Sequence, residues 1–220
     1  KMMKFRLEAK MQKKKISITV IRRLPKYYRK LEDLERIKIS RVSSQELSDL
    51  TGFTASQIRQ DLNNFGGFGL QGYGYNVKEL KSNLGEILGL NSVHNTCIVG
   101  AGNLGSAIAN FKGFEDAGFK IVAILDSDKD IIGKKISGIK VESSDNMEKL
   151  IKDKDIEIAV LTVSKKNAQD VAEELEEAGI KSIWNLTTAD LDVSENVIVE
   201  DVSLKDSLFT LSYFMREKHN

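Results

Sequence analysis

Apolar residues recur at helical spacing early in the chain: Ile18, Ile21, Leu24, Tyr28, Leu31, Leu34 and Ile37 follow one another at intervals of three or four. Pro25 interrupts the run, so a helix starts or bends there. Downstream, Ser43 with Glu46 and Thr54 with Gln57 have capping-box spacing, in which each side chain satisfies the other residue's free backbone N–H. Two short helices are therefore predicted around the tight turn Thr51-Gly52-Phe53. Ile58 and Leu62, four apart, face a core, which turns Ser56, Gln57, Arg59, Gln60 and Asn63 outward. This is the pattern of a helix-turn-helix, whose first helix packs and whose second presents side chains to the major groove. Arg, Gln and Asn are the residue types that read guanine and adenine edges. A helical hairpin with no nucleic-acid role has the same spacing.

Residues 65–75, FGGFGLQGYGY, set five glycines among four aromatics. Glycines permit a tight turn and alternating aromatics pack a short hairpin, the wing of a winged helix. An aromatic stretch for stacking single-stranded bases is the weaker reading, because such platforms sit on an OB-type sheet that is not legible here. Asn76-Val77-Lys78-Glu79 then opens a further helix to about Leu90.

Beyond residue 90 the pattern changes to strands alternating with helices. Thr96–Val99 is a short apolar strand, followed at once by Gly100, Gly102 and Gly105 in G-x-G-x-x-G spacing, with Ser106–Asn110 helical. The first glycine makes the turn, the second lets a pyrophosphate approach the backbone, and the third lets helix and strand pack closely. A second strand, Lys120–Leu125, ends in Asp126, 21 residues past Gly105. An acid there accepts hydrogen bonds from the adenosine ribose and repels the extra phosphate of NADP, so NAD is the favoured ligand. A plain turn residue opening Asp126-Ser127-Asp128 is the competing reading. The alternation continues through helical Asp145–Lys152, strand Ile156–Val163, helical Asn167–Ala178, and strands Ser182–Leu186 and Asn196–Glu200. Such alternation predicts a doubly wound parallel sheet with right-handed crossovers. The last segment, Leu204–Arg216, is an amphipathic helix that serves either the chain's own core or a partner chain, and periodicity alone favours core.

At 220 residues the chain is long enough for two small domains. Its net charge of +1 hides an asymmetry, since residues 1–90 hold 18 Lys and Arg against 9 Asp and Glu, and the remainder 15 against 23. A basic half is the footprint of a polyanion-binding module, although a solvated basic face has the same composition. No apolar run reaches the roughly 18 residues of a membrane span, and Lys1–Lys15 lacks the apolar core of a secretory signal. The single thiol, Cys97, lies in an apolar strand and fits a reducing cytoplasm. Hydride transfer usually needs a proton donor or acceptor beside the nicotinamide. The histidines are His94, ahead of the first strand, and His219, near the end, and no Tyr-x-x-x-Lys pair follows the glycines. With so few soft ligands, no metal site and no catalytic residue are assigned, and the cofactor is read rather than used.

Arg22-Arg23-Leu24-Pro25-Lys26-Tyr27-Tyr28-Arg29, Val42–Leu47, Ile58–Leu62, Gly72–Val77 and Val99–Gly105 together resemble the Rex redox-sensing transcriptional repressors, in one register from about Ile16 to about Phe214. The resemblance implies an α/β homodimer: an N-terminal winged helix-turn-helix domain over 16–90, a Rossmann-type doubly wound NAD(H)-binding domain over 91–203, and a helix over 204–220 exchanged between subunits. Residues 1–15 are a basic leader for which disorder is one expectation. Such proteins bind inverted-repeat operator DNA when NADH is scarce and leave it when NADH binds, and the exchanged helix overturns the preference for a simple core helix. Cofactor contacts are expected from Gly100, Ala101, Gly102, Asn103, Leu104, Gly105, Asp126, Thr162 and Val163, with Leu204 near a partner's nicotinamide. DNA contacts are expected from Arg22, Ser43, Ser44, Ser56, Gln57, Arg59, Gln60, Asn63, Gln71 and Tyr73. The chain departs from the family at Leu70, Gln71 and Gln60, where basic residues are common, at Phe111 (Tyr), at Ser164 and Thr188 (Pro), and at Ser203, where loss of an Asp removes a charge partner for Arg29. A small NAD-dependent oxidoreductase is the alternative, and a nucleotide- or CoA-binding module of a ligase is a second rival that leaves the basic half unexplained.

Overall fold

The computed structural model describes residues 16–70 and 73–219, and the chain divides into two compact units between Asn91 and Ser92. The basic leader over 1–15 lies outside the described residues.

The first unit opens on α1 (Ile18–Arg36), capped by the Ser17 hydroxyl, which accepts from the Thr19 N–H. Pro25 sits inside this helix rather than starting it. A mid-helix proline forfeits one backbone hydrogen bond, but Pro25 is exposed while Leu24, Tyr27 and Leu31 on the same helix are buried, and their packing carries the helix through. Both capping boxes form: Ser43 with Glu46 at the start of α2 (Ser44–Thr51), and Thr54 with Gln57 at the start of α3 (Ala55–Asn63). Between them Gly52 ends α2 at φ 74°, a left-handed conformation in which glycine carries no steric penalty. Ile58 and Leu62 are buried against Leu24, Leu31 and Leu47, so α3 packs through the face its spacing indicated.

Three short strands complete this unit: β1 (Arg41–Val42), β2 (Gly69–Leu70) and β3 (Gly74–Asn76), antiparallel in the order β1-β3-β2. The β2–β3 hairpin is the expected wing; its residues 71 and 72 lie outside the described residues. A Cβ on Gly74, at φ 68°, would meet the Val42 carbonyl oxygen at 2.7 Å, so this glycine is what lets β3 lie against β1. The Asn76 side chain accepts from the Glu79 N–H and starts α4 (Val77–Ile87).

The second unit is built on a seven-stranded sheet in the order β10-β9-β8-β4-β5-β7-β6. Its strands are β4 (His94–Val99), β5 (Phe119–Asp126), β6 (Lys135–Ile136), β7 (Ile139–Ser143), β8 (Ile158–Leu161), β9 (Ser182–Asn185) and β10 (Ile198–Asp201). All neighbours pair in parallel except β6 and β7. Its helices are α5 (Asn103–Ala109), α6 (Gly113–Asp116), α7 (Met147–Asp153), α8 (Ala168–Glu177) and α9 (Leu204–His219). Strand alternation divides the core: Cys97, Val99, Leu125 and Leu161 pack with α7 and α8, while Ile98, Ile124 and Val160 pack with α5 on the other face. The chain moves outward from β4 through β5 to β6, then returns to β8 on the opposite side of β4. Strands β4 and β8 thus flank the topological switch point, where ligands bind in open α/β sheets.

Several expected elements are redrawn. The helix expected from Asp145 begins as a 3₁₀ turn over Ser144–Asn146 before α7, the strand expected over 156–163 is shorter, and His94 opens β4 rather than preceding it. The β6–β7 hairpin was not anticipated, although it turns on Ser137 and Gly138, both at positive φ, the pair a tight hairpin needs.

Burial pushes the Cys97 thiol up to about 12, well above the ordinary thiol range. The folded protein is therefore expected to resist iodoacetamide at pH 8 and to be labelled fully in denaturant, which mass spectrometry would show. Among the described residues no helix is long and apolar enough to cross a membrane.

Candidate dinucleotide site and nucleic-acid interface

The glycine motif leaves β4 at its C-terminal end. Gly100 has φ 102°, its N–H donates to the Leu125 carbonyl at 2.8 Å, and its own carbonyl accepts from the Thr162 hydroxyl at 2.7 Å. That hydroxyl also reaches the Val99 carbonyl at 3.0 Å, so Thr162, just past the end of β8, buttresses the turn from beneath. The three glycines do different things. A Cβ on Gly100 would meet the Thr162 backbone at 2.9 Å. One on Gly105 would collide with the Gly100 carbonyl oxygen and lie 2.9 Å from the Thr162 hydroxyl. One on Gly102 would meet nothing within 4 Å. Gly100 and Gly105 are thus packing glycines, whereas Gly102 leaves clear space over the loop, as close approach of a phosphate requires. Among the described residues no side chain caps α5, which starts directly after Gly102.

Asp126 stands beside this loop at the end of β5. One carboxylate oxygen accepts from the Ala101 N–H at 2.6 Å and the other from the Asp128 N–H at 2.9 Å, which fixes the orientation of the group. A cavity of about 480 Å³ opens here, and Gly100, Gly102, Asp126, Thr162 and Val163 all line it. Ala101 adjoins it through Asp126, while Asn103, Leu104 and Gly105 form the first turn of α5. Sequence reasoning missed Asp170 and Glu174, which stand one turn apart on α8 and add two carboxylates to the wall. Leu204 is not in this cavity; it begins α9, whose described side chains are exposed.

At the far end of β4, the His94 ring stacks on Phe119, with Nδ1 2.8 Å from the Glu157 carboxylate. A strand of six residues puts it about 17 Å from the glycine turn. Among the described residues no group of three His, Cys, Asp or Glu could hold a metal ion.

In the first unit, Ser56, Gln57, Arg59, Gln60 and Asn63 are all exposed on α3. Gln57 is partly committed, because its side-chain oxygen accepts from the Thr54 N–H at 3.1 Å. Arg59 donates to the Ser44 hydroxyl at 2.8 Å, bringing together two residues expected to contact DNA. Ser43 carries the N-cap of α2, and its N–H bond to Glu46 holds that carboxyl below its usual range. Arg22 is exposed on α1, and Tyr73 is exposed beside the wing, where its carbonyl accepts from Arg41 at 3.1 Å. Gln71 falls outside the described residues.

Comparison with known proteins covers both units. A family described as "CoA binding domain" matches residues 91–189, and one described as "Putative DNA-binding protein N-terminus" matches residues 15–63. The redox-sensing transcriptional repressor Rex of Clostridioides difficile (strain 630) is 57% identical over 93% of this chain and 97% of its own length. The Rex of Caldanaerobacter subterraneus subsp. tengcongensis is 54% identical over 92% of this chain and 91% of its own. Among solved structures, RSP in complex with β-NAD+ and operator DNA superposes with TM-score 0.88 at 52% identity, covering 93% of this chain and 94% of that one. RSP in complex with β-NADH gives TM-score 0.87 at 50% identity, covering 93% and 96%. Likeness at this level, across helix-turn-helix and sheet together, places the chain in the Rex family of redox-sensing transcriptional repressors, which are regulators and not enzymes.

Proposed function

We propose that this chain is a cytoplasmic, homodimeric repressor that binds inverted-repeat operator DNA when NADH is low and leaves it when NADH binds. One observation carries the reading: a single chain joins a helix-turn-helix with an exposed polar face on α3 to a glycine-lined cleft with clear space at Gly102 and a fixed carboxylate at Asp126. The relatives solved with β-NAD+ and operator DNA, and with β-NADH, support the same ligands here.

In the cleft, the loop amides after Gly102 would take the pyrophosphate and Asp126 the adenosine ribose hydroxyls. Asp126, Asp128, Asp170 and Glu174 all line the wall, and their charge would repel a ribose 2′-phosphate. On DNA, Arg59, Gln60, Asn63 and Gln57 would make base or phosphate contacts from α3, supported by Ser56, Ser43, Ser44, Arg22, Gln71 and Tyr73.

The dimer would form through α9, where Leu204, Leu208, Leu211 and Met215 form one stripe at spacings of four, three and four, all exposed in the single chain. Burying each such side chain contributes about 1.5–3 kcal/mol. The sheet offers a matching apolar trough of about 400 Å³, with Phe114, Ile121, Val160, Trp184 and Ile198 in its lining. Leu204 would then stand near a partner's nicotinamide. Two α3 helices in a symmetric dimer reach successive major grooves when about 34–36 Å apart. The arrangement that closes around the reduced cofactor would hold them out of that register, and a coupling of about 1–3 kcal/mol changes DNA affinity roughly 5–150-fold.

Anisotropy titrations with an inverted-repeat duplex and a scrambled duplex test the DNA reading. Salt-sensitive binding with clear preference for the inverted repeat is expected, and equal affinity for the two would refute it. In the cleft, Asp126→Ser should narrow the preference for NADH over NADPH by roughly tenfold or more, measured by calorimetry with each cofactor.

A further inference from the structure

Asp61 is a charged residue at only 2% exposure, and it lies on α3 beside the residues that face outward. Both of its oxygens are occupied. Arg23 grips it with two prongs, Nε at 2.7 Å and Nη2 at 2.6 Å, and the Tyr27 hydroxyl donates to it at 2.7 Å. Arg23 and Tyr27 are one turn apart on α1, 38 and 34 residues away in sequence. Phe53, in the turn before α3, meets the Tyr27 ring edge-on at 5.7 Å and lies 5.8 Å beneath the Arg23 guanidinium, so it backs the grip.

We propose that Asp61, held by Arg23 and Tyr27, is a positioning residue: it sets the rotation of α3 about its own axis and thereby which side chains face DNA. The inference rests on α3 being the DNA-reading helix. At about 100° per residue, Ser56, Arg59, Gln60 and Asn63 cluster on one side of the helix, and Ile58 and Asp61 straddle the line diametrically opposite. The gain from burying Ile58 and Leu62 is non-directional and by itself fixes the helix rotation less sharply than a forked pair does. The guanidinium–carboxylate fork fixes it because its two parallel bonds hold at one orientation only. A buried ion pair gives little net stability over a well-packed apolar pair, so direction is what it adds.

The test separates orientation from stability. In a Tyr27→Phe background, where no buried hydroxyl loses its acceptor, Arg23→Met combined with Asp61→Leu keeps the net charge and refills the site with apolar groups. Its thermal unfolding midpoint should stay at or above that of wild type, and its affinity for a scrambled duplex should hold within about twofold, since phosphate attraction is unchanged. Operator affinity should fall roughly tenfold or more, as lost base contacts require. A folded double variant with operator affinity within about twofold of wild type overturns the proposal. Should that variant fail to fold, Arg23→Lys decides, because it keeps the charge and loses the fork: weakened operator binding with unchanged melting supports the role, and unchanged binding overturns it. A crystal structure of the double variant gives a readout independent of DNA: α3 turned about its axis supports the proposal, and α3 unmoved overturns it. Wild type measured alongside isolates the other failure, since absence of any operator preference there refutes the DNA reading and leaves the rotation question to the crystal.

Discussion

Gly105→Ala is expected to yield a repressor that binds its operator and ignores NADH. The added Cβ collides with the Gly100 carbonyl oxygen and presses on the Thr162 hydroxyl, the first a part of the glycine turn and the second its buttress. Neither can simply rotate away, because Thr162 Oγ1 is held by the Val99 and Gly100 carbonyls and the Gly100 N–H by the Leu125 carbonyl. Relief requires α5 to move off the sheet, which closes the space over Gly102 or distorts the loop. Overpacking of this kind costs about 1–3 kcal/mol of stability, and NADH affinity should fall more than roughly a hundredfold, because the loop amides no longer converge on one point. Calorimetry with NADH, thermal unfolding and an operator titration across NADH concentrations would show it. Gly102→Ala is the informative contrast: its Cβ meets no atom of the described residues within 4 Å, so the fold should be unaffected while cofactor affinity still drops.

Leu208→Asp combined with Leu211→Asp should convert the protein to a monomer with roughly a hundredfold or greater loss of operator affinity. Both side chains lie on the exposed stripe of α9. Two carboxylates there would have to be buried unpaired in any helix–sheet or helix–helix contact, and each burial costs several kcal/mol. A monomer brings one α3 to one half-site and loses the linked second contact, whose effective concentration gives a dimer its advantage on an inverted repeat. Sedimentation velocity reports the oligomeric state and anisotropy the affinity. NADH binding to the cleft should survive apart from any contribution of a partner's Leu204. A double variant that remains dimeric would refute the role given to the stripe.

What the sequence made legible is what short-range chemistry determines. The capping boxes at Ser43 and Thr54 form because each bond spans three residues, and the glycine motif declares itself because turn, loop and helix start are contiguous. The place of Asp126 beside the glycine turn follows from the regular length of a strand–helix–strand unit. Contacts between distant segments were not legible: Thr162 lies 62 residues from Gly100 in sequence, and Asp61 lies 38 from Arg23. The spacing of Asp61 beside Ile58 and Leu62 marks it as inward-facing but names no partner. Strand β1 is too short for alternation to register, and Pro25 lies inside α1 instead of opening it because the packing of Leu24, Tyr27 and Leu31 overrides its local propensity. For α9 the periodicity alone favours the chain's own core, whereas the exposure of its apolar side chains, which no pattern contains, speaks against it.

The measurement that most directly tests redox sensing is a titration of reduced cofactor into the preformed complex of the wild-type dimer with an inverted-repeat duplex, at fixed salt, followed by anisotropy, with NADPH and NAD+ run in parallel. Release by NADH at concentrations where NADPH and NAD+ leave the complex largely intact is the predicted result. A complex equally indifferent to all three, or equally released by NADH and NADPH, would contradict it.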